Sequence, residues 1–285
     1  MTAFGPLVST QWLAEHLGEA RVKVIDGSWR MPGQGSAQDD YGRRHIPGAV
    51  FFDIDAVSDT ESPLPHMLPP QALFERAAGA LGVSDKDRVV VYDDQGLFSA
   101  ARVWWTFRAM GHAEVAVLNG GLPKWLAEER PTTAGSPAIA SAVYEAAPVQ
   151  ALRRTAGEVR AALSDKSASV IDARPAARFS GAAPEPRAGL RSGHMPGAVN
   201  VPFSSLIDEG SALHAPAAVR AVFETAGADL SLPVITTCGS GVTAAVLSLA
   251  LEAAGHYNHG LYDGSWAEWG DERHDDKDWP VVAGA

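Results

Sequence analysis

The stretch Thr237-Cys238-Gly239-Ser240-Gly241-Val242-Thr243-Ala244 contains the only cysteine of this chain. It follows Val234-Ile235-Thr236-Thr237, a β-branched run that predicts a buried strand. It precedes residues 244–254, which are strong helix formers ending at a glycine. We therefore expect the thiol on a strand–loop–helix turn, where inward N–H groups and a helix N-terminus stabilise anionic sulfur. The alternative is a buried structural cysteine.

Length and composition favour two domains, because 285 residues is long for one domain and 46% of them are hydrophobic. The net charge of -11 argues against nucleic-acid and anionic-membrane partners. Residues 1–20 lack the apolar core of a signal peptide, and no run reaches the roughly 20 apolar residues of a membrane span. We expect a cytoplasmic protein. No Cys/His cluster has metal-ligand spacing, so neither a metal nor a cofactor is expected.

The two halves of the chain repeat each other. Val24-Ile25-Asp26-Gly27 matches Val170-Ile171-Asp172-Ala173, and His45-Ile46-Pro47-Gly48-Ala49-Val50 matches His194-Met195-Pro196-Gly197-Ala198-Val199. Further on, Gly111-His112 matches Gly255-His256, and the same spacing places Asp94 at the position of Cys238. The first half therefore carries the same strand–loop–helix without a thiol.

Strands and helices are expected to alternate in each half, which predicts the α/β class with parallel sheets flanked by helices. Ligands of such sheets bind at the carboxyl ends of strands, where Cys238 is expected. Residues 136–150 are rich in Pro, Ala and Ser without an apolar period, so we interpret them as a linker. The expected domains are residues 1–135, non-catalytic, and residues 151–285, catalytic.

Three chemistries suit a cysteine in such a turn. A Cys-dependent phosphatase needs an arginine where this chain has Ala244, and a dithiol redox site needs a second cysteine. Sulfur transfer through a cysteine persulfide needs one nucleophilic thiolate among N–H donors, which the loop supplies.

The loop Cys238–Ala244 resembles the active-site loop of the 3-mercaptopyruvate sulfurtransferases, which are tandem rhodanese-domain enzymes. The resemblance extends along nearly the whole chain, through the segments 45–55, 62–69, 96–100, 119–122, 184–187 and 262–266. It implies two rhodanese-like domains, of which the first is inactive, in agreement with Asp94.

The resemblance also implies roles for individual residues. Cys238 would attack the donor sulfur, the N–H groups of Gly239, Gly241, Val242 and Thr243 would stabilise the persulfide, and Ser240 would contact the substrate or pass a proton. Arg178 and Arg187 would grip the carboxylate and keto groups of the donor, although each arginine could instead form an ordinary salt bridge.

His45 would carry the proton from Ser240, according to the same resemblance, although a role in turn structure is equally compatible because His194 occupies the same repeat position. The acidic partner of this histidine is open between Asp39 and Asp40.

The expected activity is transfer of sulfur from 3-mercaptopyruvate, through a Cys238 persulfide, to cyanide or a thiol of thioredoxin type, with release of pyruvate. The alternatives are a thiosulfate sulfurtransferase and a non-catalytic sulfur carrier. Sulfurtransferases that prefer thiosulfate carry basic residues where this loop has Gly239 and Ser240, which favours the less anionic donor. A monomer is expected.

Overall fold

The computed structural model describes residues 4–31 and 33–284, which form two compact units. Each unit combines separate stretches of the chain. The first contains the described residues up to Thr60, with Leu68–Gln150 and Ile207–Leu213. The second contains Glu61–Met67, Ala151–Leu206 and the described residues from His214 onwards.

The first unit is a five-stranded parallel sheet flanked by helices. Its strands are β1 (Leu7–Val8), β2 (Val22–Asp26), β3 (Val50–Phe51), β4 (Arg88–Tyr92) and β5 (Val115–Leu118). They lie in the order β1-β5-β4-β2-β3. Its helices are α1 (Thr10–His16), α2 (Ala37–Arg43), α3 (Gln71–Ala80), α4 (Ala100–Ala109) and α5 (Gly121–Ala127).

The second unit repeats this architecture. Its strands are β6 (Arg153–Arg154), β7 (Ser169–Asp172), β8 (Val199–Asn200), β9 (Val234–Thr237) and β10 (His259–Tyr262). They lie in the order β6-β10-β9-β7-β8, again all parallel. Its helices are α6 (Ala156–Asp165), α7 (Ala176–Phe179), α8 (Pro216–Thr225), α9 (Ala244–Ala253) and α10 (Ser265–Trp269). The predicted fold class is confirmed.

The central strands of both sheets are buried on both faces, which explains why they are short β-branched runs without alternation. Every residue of β9 is buried, and so is every residue of β4 after Arg88. Helix α9 is buried along nearly its whole length, as a helix that is apolar all round should be. The turn from β9 to α9 is therefore held between two buried elements, and it carries Cys238.

The sequence did not predict that two short segments would group with the opposite half. Glu61–Met67 belongs to the second unit, and Ile207–Leu213 belongs to the first. Each segment contains a non-glycine residue in the left-handed region, His66 with φ 60° and Ser211 with φ 65°. In the first unit Ser211 lies against Gly96, where an added Cβ would be 2.3 Å from the Ser211 Cβ.

The predicted linker follows the surface of the first unit. The N–H groups of Ala142, Ala147 and Val149 donate to carbonyl oxygens of Gly79, Met110 and Ala109 at 2.9, 2.9 and 2.8 Å. A Cβ on Gly79 would lie 2.6 Å from the Ala142 oxygen, so glycine is needed for this close approach. In the part of the chain that the structure describes, no helix is long and apolar enough to cross a membrane.

The repeat-related carboxylates Asp26 and Asp172 end β2 and β7, and both are only 1% exposed. Asp172 is paired with the guanidinium of Arg174. In the first unit the position that matches Arg174 is occupied by Ser28, whose backbone N–H donates to Asp26 at 2.9 Å. Burial raises the pKa of Asp26 from 3.8 to about 6, against the opposing effect of its hydrogen bonds from Ser28 and Tyr92.

We predict opposite effects of Asp26→Asn and Asp172→Asn on the free energy of unfolding. Because the folded pKa of Asp26 is raised, the wild type loses stability as pH rises from about 4 to 6, by up to about 3 kcal/mol. Asp26→Asn removes this loss, so its stability relative to the wild type should grow over that pH range.

Asp172→Asn leaves the charge of Arg174 less compensated and should destabilise the folded protein by roughly 3–5 kcal/mol at neutral pH. Denaturant unfolding at several pH values measures both; a pH-independent difference for Asp26→Asn would contradict the first expectation.

Candidate active site

Cys238 lies at the carboxyl end of β9 and is 2% exposed. The backbone N–H of Gly241 points to its Sγ at 3.1 Å. Gly241 has φ 81°, a conformation that favours glycine, so this residue type allows the loop to turn its N–H towards the sulfur. The sulfur therefore lies in an environment suited to negative charge.

The loop is fastened to α10, the helix that follows the neighbouring strand. The N–H groups of Trp266 and Ala267 donate to the carbonyl oxygens of Cys238 and Gly239 at 2.9 and 2.8 Å. Ser265 accepts from the Cys238 N–H at 3.2 Å through its Oγ and has φ 50°. These bonds hold the backbone on both sides of the thiol and fix where the Cys238 side chain points.

The other predicted loop residues surround this turn. Ser240 and Val242 are buried, at 6% and 3% exposed, and Thr243 is the N-cap residue of α9. Of the loop N–H groups predicted to stabilise the sulfur, the structure shows that of Gly241 pointing to Cys238 Sγ. The roles of Ser240 and of the N–H groups of Gly239, Val242 and Thr243 stay predictions.

Arg178, at the end of α7, reaches the loop. A Cβ built on Gly239 would be 3.0 Å from Arg178 Nη2, so the guanidinium occupies the space that a side chain at position 239 would need. Gly239 itself is outside the left-handed region, so a larger residue there would be opposed by the nearby Arg178 guanidinium and not by backbone conformation.

Glu185 holds Arg178 in this position, and sequence reasoning assigned it no role. Its Oε1 accepts from Arg178 Nε at 3.2 Å, and its Oε2 bonds Arg178 Nη2. Oε1 also accepts from Arg174 Nη1 at 2.8 Å. The Glu185 side chain is 1% exposed, so it is a buried carboxylate shared by two guanidinium groups. The only sequence signal was its place in the segment 184–187 that resembles the family.

Arg174 extends this ion pair into the core. It bonds Asp172 through Nη2 at 2.8 Å, donates to the Gly193 oxygen at 2.9 Å, and stacks 4.1 Å from the Trp266 ring centroid. Asp172 and Glu185 outweigh the opposing effect of burial and raise the pKa of Arg174. A continuous buried network therefore connects the end of β7, Arg178 and the helix that fastens the cysteine loop.

Arg187 lies beside a histidine that sequence reasoning did not select. Arg187 Nη2 is 3.3 Å from His66 Nε2, within the second unit. Arg187 lines a cavity of about 310 Å³ together with residues 63–65 and Ala267, whose N–H bonds the Gly239 oxygen. His66 is 6% exposed, so its ring is held in a largely enclosed place next to the predicted clamp.

His45 has local partners in the first unit. Its Nδ1 is 2.8 Å from the Tyr41 oxygen, its ring stacks on Tyr41 at 4.1 Å, and its backbone pairs with Thr133. Asp40 bonds Arg30 at 3.0 Å and Arg43 at 2.7 Å. The neighbouring Asp39 donates its N–H to Ser36. These contacts hold His45 and Asp40 within the first unit, and the proton-carrier role of His45 stays a prediction.

The matching loop of the first unit is organised around carboxylates. Asp93 accepts N–H groups of Gln95, Phe98 and Ala100 at 2.9, 2.8 and 2.8 Å. The strand pairings place Asp93, rather than Asp94 as the sequence spacing predicted, at the position of Cys238, because Asp26 pairs with Tyr92 where Asp172 pairs with Thr237. The spacing was off by one residue. The next residue, Asp94, bonds the guanidinium of Arg30, with one N–O distance of 2.8 Å. The N–H groups of this loop thus donate to a carboxylate of the protein itself, where the second unit has a thiol.

Comparison with known proteins places both units in one family. The Rhodanese-like domain profile matches residues 9–128 and 155–272. The chain is 43% identical to human 3-mercaptopyruvate sulfurtransferase over 270 residues, covering 92% of this chain and 91% of the relative. It is 44% identical to the 3-mercaptopyruvate sulfurtransferase of Escherichia coli K12 over 267 residues, with 92% and 94% covered. It is also 44% identical to rat thiosulfate sulfurtransferase over 270 residues, with 92% and 91% covered.

Solved structures of sulfurtransferases also superpose closely on this chain. The crystal structure of SseA from Escherichia coli, described as a 3-mercaptopyruvate sulfurtransferase with the rhodanese fold, superposes with a TM-score of 0.85 at 41% identity, covering 93% of this chain and all of the other. A sulfur transferase subunit of yeast mitochondrial complex I superposes with a TM-score of 0.88 at 36% identity, with 99% and 100% covered.

We predict that Gly239→Ala weakens donor binding while the protein stays folded. The new methyl group would meet Arg178 Nη2 at 3.0 Å and displace the guanidinium from the loop. Loss of a charge-assisted bond of about 1.5–3 kcal/mol corresponds to roughly 10- to 150-fold in kcat/KM. Gly157→Ala in α6 is the matched control, because its Cβ would meet only Thr155 Oγ1, at 4.0 Å. Steady-state kinetics with a thermal melt measures both, and an unchanged Gly239→Ala enzyme would remove Arg178 from the donor site.

Proposed function

Because this chain belongs to the tandem rhodanese-like family, we propose that it transfers sulfur from 3-mercaptopyruvate, through a Cys238 persulfide, to a thiol or cyanide acceptor. The observation that carries the proposal is the Cys238 thiol, which faces the Gly241 N–H in a loop beside the guanidinium of Arg178. A non-catalytic sulfur carrier has no need of a carboxylate-binding arginine at that point.

The proposed first half-reaction is balanced without a cofactor. The Cys238 thiolate attacks the sulfur of 3-mercaptopyruvate, a sulfur–sulfur bond forms and the sulfur–carbon bond breaks. The electron pair of that bond goes to the methylene carbon as a pyruvate enolate, which takes up the proton that the donor thiol releases. The products are a Cys238 persulfide anion and pyruvate. The loop N–H groups stabilise the persulfide anion.

Two arginines are proposed to hold the donor. Arg178 lies at the loop, where Glu185 orients it, and Arg187 lines the neighbouring cavity. A planar guanidinium matches a carboxylate and an adjacent keto oxygen, which is the pattern of polar groups in 3-mercaptopyruvate.

The choice of donor rests on chemistry at the loop, because the named relatives include both mercaptopyruvate and thiosulfate enzymes. Gly239 and Ser240 add no positive charge beside the thiol, which favours a monoanion over a dianion. Thiosulfate also differs in needing no proton, since attack on its outer sulfur releases sulfite directly. A proton carrier at the site is therefore useful for mercaptopyruvate alone.

We further propose a thiol of thioredoxin type as the acceptor, and a cytoplasmic monomer. The single cysteine, which is buried, supports the last point because it offers no surface thiol for a linked dimer.

The central prediction concerns the covalent intermediate. Wild-type protein incubated with 3-mercaptopyruvate without acceptor should gain the mass of one sulfur atom on Cys238 and release one equivalent of pyruvate. Cys238→Ser should show neither, because an alcohol at this place does not form the persulfide. Intact-mass spectrometry with a pyruvate assay measures both, and turnover of Cys238→Ser at the wild-type level would refute the mechanism.

A second prediction separates the two candidate proton carriers, His66 and His45. Loss of the carrier should lower kcat/KM for 3-mercaptopyruvate by about 100-fold or more, the usual range of general acid–base catalysis, and change thiosulfate kinetics by only a few fold. We expect this selective loss in His66→Asn, because His66 lies beside Arg187. We expect an equal loss for both donors, or none, in His45→Asn, because its ring bonds Tyr41. The reverse pattern would make His45 the carrier.

A further inference from the structure

We propose that Glu185 sets the choice between singly and doubly charged sulfur donors, because its carboxylate cancels the positive charge of Arg178 at the active site. The inference deepens the proposed function and rests on it. The two donors compared are 3-mercaptopyruvate, a monoanion at neutral pH, and thiosulfate, a dianion.

The carboxylate of Glu185 is fixed in place and cannot turn away. Its side chain is 1% exposed, one oxygen accepts from Arg174 Nη1 at 2.8 Å, and both oxygens contact Arg178. Arg174 is itself fully buried and bonded to Asp172. Because this carboxylate is anchored from the core side, its charge remains next to Arg178 whether or not a donor is bound.

The charges of this network balance within the second unit. Arg174 and Arg178 supply two positive charges, and Asp172 and Glu185 supply two negative ones. Arg178 thus presents hydrogen-bond donors at the cysteine loop without a net increase in local positive charge. A donor can use the geometry of the guanidinium while gaining little from its charge.

This arrangement discriminates by donor charge. A dianion gains about twice as much Coulomb energy from an added positive charge as a monoanion does, at any dielectric. Cancelling one positive charge therefore costs the dianion more than the monoanion. The uncharged Gly239 and Ser240 also favour the monoanion, because they add no positive charge at the loop. Glu185 strengthens this preference, because it cancels the charge of Arg178, one of the two arginines proposed to hold the donor.

The experiment measures the second-order rate of persulfide formation on Cys238 with each donor, at fixed pH and ionic strength, by quenched-flow mass spectrometry. The quantity compared is the ratio of the thiosulfate rate to the 3-mercaptopyruvate rate, since damage common to both donors cancels in it. The variants are Glu185→Gln, Glu185→Asp, Arg178→Gln and the double variant with glutamine at both positions. Asp276→Asn is the control, because it removes the same charge at an exposed carboxylate, paired with Arg191.

We expect the ratio to rise tenfold or more in Glu185→Gln, because a unit charge about 12 Å away gives a tenfold effect at an effective dielectric near 20 and a nearer charge gives more. It should fall in Arg178→Gln, return towards the wild-type value in the double variant, and stay near that value in Glu185→Asp and Asp276→Asn. Glu185→Asp keeps the charge, so its ratio should hold even if the shorter side chain lowers both rates.

A flat or falling ratio in folded Glu185→Gln would overturn the inference, and so would an equal rise in Asp276→Asn. If Glu185→Gln does not fold, Arg178→Gln provides the test. An unchanged or higher ratio of the thiosulfate rate to the 3-mercaptopyruvate rate in that variant shows that the charge of Arg178 plays no part in donor choice. Failure of the proposed function looks different, because the wild type would then form no persulfide with either donor.

Discussion

The pairing of buried charge at Arg174 is the constraint on which the second unit depends. A guanidinium that water cannot reach must be matched by carboxylates, and Asp172 and Glu185 supply them from β7 and from the loop after α7. The same side chain stacks on Trp266, whose N–H holds the Cys238 carbonyl. One buried cation therefore fixes the end of β7, the loop that carries Glu185 and the helix α10, which bonds the Cys238 carbonyl.

The two halves show how one fold surrounds different side chains with the same loop. Both have the same five-stranded order and the same strand–loop–helix turn. In the second, the Gly241 N–H faces a thiol; in the first, three loop N–H groups face the Asp93 carboxylate and Arg30 grips Asp94. Loop N–H groups face a side chain at the matching position in both halves, and the sequence decides whether that side chain is a thiol or a carboxylate.

Local patterns were enough to predict the parallel sheets, the β9–α9 turn and the position of Cys238, because β-branched runs, glycines and helix formers act within a few residues. The sequence did not predict the role of Glu185 or the proximity of His66 to Arg187, since these depend on which distant segments pack together. His66 lies in a segment that groups with the other half of the chain, and no local pattern signals such an exchange. Residues 37–43 were also missed as a helix, although Ser36 caps them.

The Asp93 carboxylate bears on how duplicated domains of this kind diverge. It accepts three loop N–H groups at the position where the second unit carries the Cys238 thiol, so the first unit supplies its own internal anion to the loop. Replacing Asp93 by cysteine alone would leave Asp94, held by Arg30, as a negative charge beside the new thiol. Conversion of the first loop into a copy of the second therefore requires several coordinated changes.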